Sequence, residues 1–286
     1  MRHPIVVGLC LTGAIALSGC DAVSGKNTVD RKLQDVNVVD ESDLNSVMLT
    51  VADPNEGVNY FKRALTTKPK KIELRRGLAI TLIRAKRFPE AVSAWTKVTE
   101  HEDATNDDSV ELADAYIRTN DWDSAEKTLN GIPPTHETYK RYRLEAMIAD
   151  SKQDWKKADA FYETALGLTT TPASVMNNWG YSKLTRGDFE GAEALFGQAI
   201  RADQSLFTAK NNLVLARGAQ GNYTLPPVPM SQVERAQLLH TLGLAALKRG
   251  DEKIARGLFQ EALETHPQHF EAAARSLDAL ESTITN

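Results

Sequence analysis

Small and bulky apolar residues recur along the chain with a period close to 34 residues. Small residues follow one another at intervals of 34, 34, 33 and 34, at Gly57, Ala91, Ala125, Ala158 and Ala192. Bulky residues lie four positions later, at Phe61, Trp95, Leu129, Tyr162, Phe196 and, near the end of the chain, Phe259. A second small residue lies twelve positions before the first, at Ala79, Ala113, Ala146, Gly180 and Gly243. A pattern of this length predicts a stack of similar units.

Each unit is predicted to be a pair of α-helices. Two small residues twelve positions apart fall on different helices and let the two backbones approach closely, while the bulky residues fill gaps between neighbouring pairs. Turns containing Asn120, Gly187 and Gly250 separate the first helix from the second, and these residue types suit a tight reversal. Pro69 and Pro267 lie where a second helix must end. The chain is therefore predicted to be all-α.

The period breaks once, within the unit that begins near Phe207. Its first helix is well patterned, but Pro226 occupies the small position of the second helix, within a proline-rich interruption at 224–230. Ala255 follows Ala192 by 63 residues, whereas two full periods would take 68, so about five residues have been lost. We expect the second helix of this unit to be missing or remodelled.

After the interruption the pattern restarts and is then closed by a last helix. Ser231 and Glu234 have the spacing of a helix capping box. A helix at 270–283 alternates apolar residues with charges and is predicted to cap the C-terminal end of the stack. The sequence thus predicts an all-α solenoid over residues 41–286, with about six to seven units, one of them incomplete.

The small, aromatic and proline positions resemble those of the tetratricopeptide repeat (TPR). The aromatic positions are Phe88, Trp122, Trp155, Phe189 and Tyr223. The resemblance implies a helix-pair solenoid whose first helices line a concave face that holds a peptide or a partner helix. The first unit, 41–71, has a weak first helix, as expected of a terminal cap.

The N-terminus has the organisation of a secretory signal. Positive Arg2 is followed by thirteen uncharged residues, Ile5–Leu17, too few for the ~20 that a membrane-spanning helix needs. The sequence Leu17-Ser18-Gly19-Cys20 resembles the bacterial lipobox, which implies cleavage after residue 19 and lipid attachment at Cys20. A plain cleaved signal with an incidental cysteine is the alternative. We therefore expect a signal peptide at 1–19 and a lipidated cysteine with a flexible tether at 20–40.

A lipid anchor at Cys20 implies a body that faces the periplasm. Several acyl chains bind a membrane stably, whereas one chain is marginal. The outer membrane is favoured, but Asp21 resembles an inner-membrane retention signal of enteric bacteria, so the inner membrane stays open as the alternative.

Composition excludes several kinds of chemistry. The chain of 286 residues has two cysteines, Cys10 and Cys20, so the predicted body contains no thiol for a disulfide, a metal site or a nucleophile. The net charge is −4 and no Lys/Arg cluster is present, which argues against a nucleic-acid partner. These observations favour a protein partner.

No motif indicates an enzyme. The sequence lacks a glycine-rich phosphate loop, a zinc-protease motif and a nucleophile elbow. His266 and His269 flank Pro267 at a repeat boundary, which disfavours a metal pair, and His240 is alone on a helix. The acids of 100–102 and Asp107-Asp108 are predicted to be solvated charges at helix ends or loops. We expect no catalytic residue, no cofactor, no metal and no small-molecule substrate.

Projecting the period onto the first helices predicts a partner-binding set. It comprises Arg84, Arg118, Arg143, Asn177, Tyr181, Asn211 and Lys248. Such side chains can hydrogen-bond an extended peptide or a carboxylate, so an acidic or C-terminal segment is the expected ligand. In the alternative interpretation, Asn178 and Asn212 tie helices together and the arginines are solvated.

Three segments resemble one group of repeat lipoproteins. Residues 176–182, 209–216 and 264–270 resemble TadD-like lipoproteins of the Tad (tight adherence, Flp pilus) assembly system. That resemblance implies a scaffold that helps the outer-membrane secretin assemble. The alternative function for this chain is that of an adaptor for peptidoglycan hydrolases, which other repeat lipoproteins resemble. A soluble enzyme would need a catalytic domain for which the repeats leave no room.

Overall fold

The computed structural model describes residues 44–284, and all regular secondary structure in that range is α-helical. The chain divides into two compact units, Met1–Asp53 and Pro54–Asn286, which we describe separately. In the first unit, residues 44–50 form helix α1. The predicted signal peptide, Cys20 and the tether at 20–40 lie outside the described residues. Between residues 44 and 284, no helix is both long and apolar enough to cross a membrane.

The second unit contains thirteen helices in its described part, residues 54–284. In chain order they are α2 Pro54–Thr67, α3 Ile72–Arg84, α4 Phe88–Thr99, α5 Asn106–Arg118, α6 Trp122–Asn130, α7 Tyr139–Ser151, α8 Trp155–Gly167, α9 Ala173–Thr185, α10 Phe189–Ala202, α11 Phe207–Ala219, α12 Gln232–Arg249, α13 Glu252–Thr265 and α14 Glu271–Ile284. Helices α3/α4, α5/α6, α7/α8, α9/α10 and α12/α13 are pairs, and each helix packs on its neighbours in the sequence. The predicted helix-pair solenoid is confirmed.

Helix ends agree with the predicted boundaries. Helix α2 ends at Thr67, just before Pro69, and α13 ends at Thr265, just before Pro267. Ser231 and Glu234 form the predicted capping box at the start of α12. Helix α14, predicted at 270–283, packs on α13. It therefore covers the last helix pair, as expected.

Each pair reverses through one residue with left-handed backbone geometry. The φ angles are 58° at Lys86, 62° at Asn120, 59° at Gln153, 86° at Gly187 and 85° at Gly250. In three pairs the next residue is an aspartate whose carboxylate accepts a hydrogen bond from the first turn of the second helix, at Asp121, Asp154 and Asp188. Reversal and N-cap are thus one short sequence unit.

At two small positions of the repeat, an aromatic ring packs so closely that only glycine fits. A Cβ atom built on Gly180 would lie 2.7 Å from Cε1 of Phe196, and one on Gly243 would lie 2.4 Å from Cε1 of Phe259. Both phenylalanines are fully buried. In the α9/α10 and α12/α13 pairs, the ring of the second helix therefore packs directly against the backbone of the first helix.

The interrupted unit lacks its second helix, as predicted. No helix lies between α11 and α12, that is, within residues 220–231. Gly221 keeps the left-handed turn, with a φ of 80°. The next residue, Asn222, accepts a hydrogen bond from the Thr224 N–H at 3.1 Å, so it closes a local Asx turn instead of capping a helix. Residues 223–230, which we call the proline strap, continue without regular structure.

The proline strap fills part of the space that a second helix would occupy. Tyr223, Leu225 and Met230 pack against the cluster formed by α12, α13 and α14, and Val228 packs against the cluster of α10 and α11. Pro226 is buried. The strap therefore joins two neighbouring core clusters with single side chains.

Helix α12 lies directly against α11 across this break. A Cβ atom on Gly218 would be 2.6 Å from the Cβ of Ala245, so the two helices meet at a glycine. Lys210 of α11 is 2% exposed and donates to Glu234 of α12 at 3.0 Å. The ion pair and the close approach both link the helices that flank the strap.

Candidate binding face of the first helices

All seven predicted partner-binding residues lie on first helices, and they fall in three rows. The rows lie ten, six and two residues before the left-handed turn residue of each unit. The first row holds Arg143, Asn177 and Asn211, the second holds Tyr181, and the third holds Arg84, Arg118 and Lys248. Rows four residues apart share one face of a helix. The predicted residues therefore follow one face of the repeat, here called the first-helix face.

Two asparagines of this face tie neighbouring first helices together. Asn212 Nδ2 donates to Asn177 Oδ1 at 3.1 Å, and Thr241 Oγ1 donates to Asn211 Oδ1 at 2.8 Å. The alternative interpretation gave Asn212 this tying role. The Nδ2 groups of Asn177 and Asn211 make no hydrogen bond to any described residue. Each can therefore still donate one to a ligand.

The three predicted arginines are in different environments. Arg118 pairs with Asp114, with 3.2 Å between Nη2 and Oδ2, and its guanidinium lies 5.8 Å from the centroid of the Phe88 ring. Arg84 is half-buried in the last turn of α3. Arg143 has a buried Nε without a hydrogen-bond partner among residues 44–284. Arg143 forms no ion pair with any residue in 44–284, which suits an anionic ligand.

Tyr181 and Lys248 line one groove between α9, α11 and α12. The groove has a volume of about 670 Å³, within the ~300–1,000 Å³ typical of ligand pockets. Tyr181 is 52% exposed and Leu244 is 45% exposed. The other apolar wall residues include Leu184, Phe189, Leu215, Ala219 and Ala245. We call this the α9–α12 groove.

Sequence reasoning missed the leucines of this groove, although the repeat contained the signal. Leu215 and Leu244 lie six residues before Gly221 and Gly250, in the same row as Tyr181. The predicted binding set contains polar side chains and therefore does not include these leucines. The described residues lining the groove include Lys248 and Arg249 but no acid. The groove is therefore apolar with a basic end.

One predicted surface acid is instead part of a buried ion pair. Asp108 is 3% exposed, and its two carboxylate oxygens each accept a hydrogen bond from Arg76 at 2.7 Å. Burial alone would raise the pKa of Asp108, but hydrogen bonds from Arg76 and from the Thr105 backbone lower it below its usual value. The prediction that Asp108 is solvated was wrong. The Thr105 to Asp108 spacing of a helix cap was the available signal.

Two half-buried ionisable groups, Asp150 and His240, lie within hydrogen-bond distance of side chains on neighbouring helices. Asp150 accepts hydrogen bonds from Ser182 at 2.6 Å and from Tyr162 at 2.9 Å, and burial raises the pKa of its carboxyl group. His240 Nε2 lies 3.0 Å from Ser276 Oγ, and burial lowers the pKa of this imidazole. Within the described range, no group of three potential metal ligands comes together.

Comparison with known proteins places this geometry in a known fold. No protein-family model matches the sequence, and no curated protein matches it. A solved TPR protein from Parabacteroides merdae superposes with a TM-score of 0.55 and 14% identity, covering 90% of this chain and 100% of that one. The chain has the TPR fold. The TPR resemblance drawn from the small and aromatic positions is thus confirmed for the fold.

Two further solved structures share this TPR fold. The type IV pilus biogenesis factor PilW gives a TM-score of 0.54 and 16% identity, covering 72% of this chain and 98% of that one. The human IFIT1 dimer with PPP-AAAA gives 0.58 and 15%, covering 81% of this chain and 60% of that one. The present chain thus spans about three fifths of IFIT1. Identities this low show a common fold alone.

Proposed function

We propose that this TPR protein is a non-catalytic scaffold that holds a segment of a partner protein against its first-helix face. The α9–α12 groove carries the proposal, because it exposes Tyr181 and Leu244 together in a concavity that no acid of the described part of the chain lines. Clustered exposed apolar side chains of this kind mark interaction sites. Arg143, Asn177 and Asn211 add donors along the same face.

We further propose that the scaffold is lipid-anchored at Cys20, faces the periplasm and serves Tad (Flp) pilus assembly and secretin biogenesis. Three observations support this proposal: the resemblance of residues 17–20 to a lipobox, the three segments that resemble TadD-like lipoproteins, and a fold shared with the pilus biogenesis factor PilW. The lipid would raise the effective concentration of the groove for a membrane-bound partner without any new contact. The outer membrane is the favoured site.

Deleting the gene tests the pilus proposal. We expect secretin multimers and surface pili to fall together, and complementation by the full chain to restore both. Wild-type levels of both in the deletion strain would contradict the proposal. If the full chain instead co-purified from membranes with a peptidoglycan hydrolase, the alternative adaptor function would replace it.

A matched pair of variants tests whether the groove binds the partner. Leu244 and Ile254 are each 45% exposed, but only Leu244 lines the groove. Leu244→Glu should reduce partner recovery from membranes and secretin multimers, while Ile254→Glu should leave both unchanged. Equal effects of the two variants would place the site elsewhere on the molecule.

Changing the predicted lipidation site tests the anchor. Cys20→Ala should release the protein into the soluble fraction and weaken pilus assembly, because a body without acyl chains loses its hold on the bilayer. Circular dichroism of the variant should match that of the wild type. Undiminished membrane association would contradict the lipobox assignment.

A further inference from the structure

We infer that the missing second helix at 220–231 is what builds the α9–α12 groove, and that the groove takes a partner segment whose apolar side chains are followed by a carboxylate. The inference rests on the proposed scaffold function and specifies its ligand. Gly218 is assigned as the residue that positions the groove, and Lys248 as the residue that selects the charge.

The first step is the contact that replaces the helix. With no second helix after α11, α12 packs directly on α11, and Gly218 faces Ala245 across this contact. The equivalent positions of the four preceding units, three residues before the turn, hold larger side chains: Ile83, Ile117, Asp150 and Leu184. A Cβ atom at residue 218 would lie only 2.6 Å from the Cβ of Ala245, so this contact requires glycine.

The second step is the set of contacts that hold α12 in place. Arg249 Nη1 donates to the Ala219 carbonyl at 2.8 Å, which ties the end of α12 to the end of α11. The Tyr223 hydroxyl of the proline strap donates to Asp251, just after α12. The contact between Arg249 and Ala219 lies at the groove, because both residues line it. Leu244 and Lys248 of α12 thereby line one groove with Tyr181 and Leu184 of α9.

The third step is the chemistry of the walls. Leu184, Leu215 and Leu244 offer apolar surface, which favours apolar ligand side chains. Arg249 is engaged by Ala219 and Asp251, but Lys248 is exposed and makes no hydrogen bond or ion pair with any residue in 44–284. No acid among the described residues lines the groove, so a carboxylate at the Lys248 end complements it and a cation does not.

Two synthetic peptides test the ligand chemistry on the full chain in detergent. Both carry fluorescein and leucines spaced three and four residues apart, and one ends in two glutamates while the other ends in two lysines. By fluorescence anisotropy, the acidic peptide should bind roughly two- to fivefold more tightly, the range expected of an exposed charge pair. Lys248→Glu should reverse the preference. Equal affinities for the two peptides would overturn the assigned ligand charge.

Variants of the wall and of the helix contact test the origin of the groove. Leu244→Glu should weaken both peptides at least tenfold, with Ile254→Glu unchanged as control. Gly218→Ala should weaken both peptides severalfold by moving α12 away from α11. The double variant Gly218→Ala/Ala245→Gly removes the methyl group that obstructs the contact and should restore the affinity, which a general loss of stability would not do.

The possible failures are distinguishable. If Gly218→Ala binds both peptides like the wild type, the helix contact does not build the groove and the inference is overturned. If neither peptide binds while gene deletion still abolishes secretin multimers, the proposed function stands and only the ligand assignment is overturned. If deletion has no effect while peptide binding follows the predicted order, the pilus proposal alone is lost.

Discussion

The four regular pairs from α3 to α10 and the interrupted unit at 207–230 share one turn geometry but bury their apolar residues differently. In a regular pair the position seven residues before the turn is small, as at Gly180, because Phe196 of the second helix packs on it. The same position in the interrupted unit is Val214, which is fully buried in the cluster of α12, α13 and α14. Seven residues before the turn, a small residue is thus needed only where a second helix returns.

This difference shows how a repeat protein tolerates the loss of a helix. The space is divided between the proline strap and α12, which moves directly onto α11 at Gly218. The turn survives, since Gly221 retains its left-handed φ, but Asn222 no longer caps anything. Loss of the helix also leaves an apolar groove on the first-helix face. The break therefore differs from the regular units in the surface that it exposes.

Core truncations should show the difference between the two regions most strongly. Phe196→Ala removes a fully buried ring from a regular pair and should lower the free energy of unfolding by about 3–5 kcal/mol. Met230→Ala removes a half-buried strap side chain and should lower it by no more than about 2 kcal/mol. Urea unfolding followed by circular dichroism measures both. Equal losses in the free energy of unfolding would mean that a strap side chain contributes as much to stability as the buried ring of a second helix.

The helix contact at the break gives the next largest effect. Gly218→Ala should lower the free energy of unfolding by about 1–3 kcal/mol, since the new methyl group overpacks the contact with Ala245. No neighbouring atom lies within 4 Å of a Cβ atom built on Gly257 in α13. Gly257→Ala should therefore raise the free energy of unfolding by about 0.5–1 kcal/mol, because alanine has the higher helix propensity. Thermal midpoints should therefore move in opposite directions. Parallel shifts would remove the basis for a close α11–α12 contact.

The residue after the turn should matter only where a helix follows. Asp188→Ala removes the N-cap of α10, whose carboxylate accepts from the Gly191 N–H at 3.0 Å, and should lower the free energy of unfolding by about 1 kcal/mol. Asn222→Ala removes only an Asx turn and should change it by less than about 0.5 kcal/mol. Chemical denaturation of both variants tests this ordering, and a larger loss for Asn222→Ala would reverse the comparison.

The smallest expected effect is a pH dependence within a regular pair. Burial raises the pKa of Asp150, so the folded protein keeps this proton at pH values where the unfolded chain has lost it. The free energy of unfolding therefore falls as pH rises from the ordinary aspartate pKa to the raised one. Asp150→Asn should lack this decrease. The difference in the free energy of unfolding, variant minus wild type, should therefore increase as pH rises between the two pKa values. Parallel pH profiles of urea unfolding would contradict the assignment.

Much of the architecture was predictable because each helix pair repeats the same local rules. Turn residues such as Asn120 and Gly187, the prolines after α2 and α13, and the missing helix near Pro226 all follow from spacing. Asp108 was not predictable in this way. Its partner, Arg76, lies 32 residues away on another helix, and charge patterning along one helix does not show such a pair.

The candidate site was predictable only in part, for a related reason. Spacing placed Tyr181 and Lys248 on first helices, but they lie 67 residues apart in the sequence, and only the packing of α9, α11 and α12 shows that both line one groove. Asn177 and Asn211 were on the expected face, yet their oxygens already bond neighbouring helices. The structure thus shows what each predicted side chain already contacts.

The sequence by itself determined the helical class, the period, the turns and the position of the break, because these depend on residue size and backbone conformation within one unit. Only the tertiary structure decided how α12 meets α11, which acids are buried, and where apolar side chains from three first helices combine. Those outcomes depend on contacts between units, where the distance between two helices is set by one glycine at residue 218 and not by any local pattern.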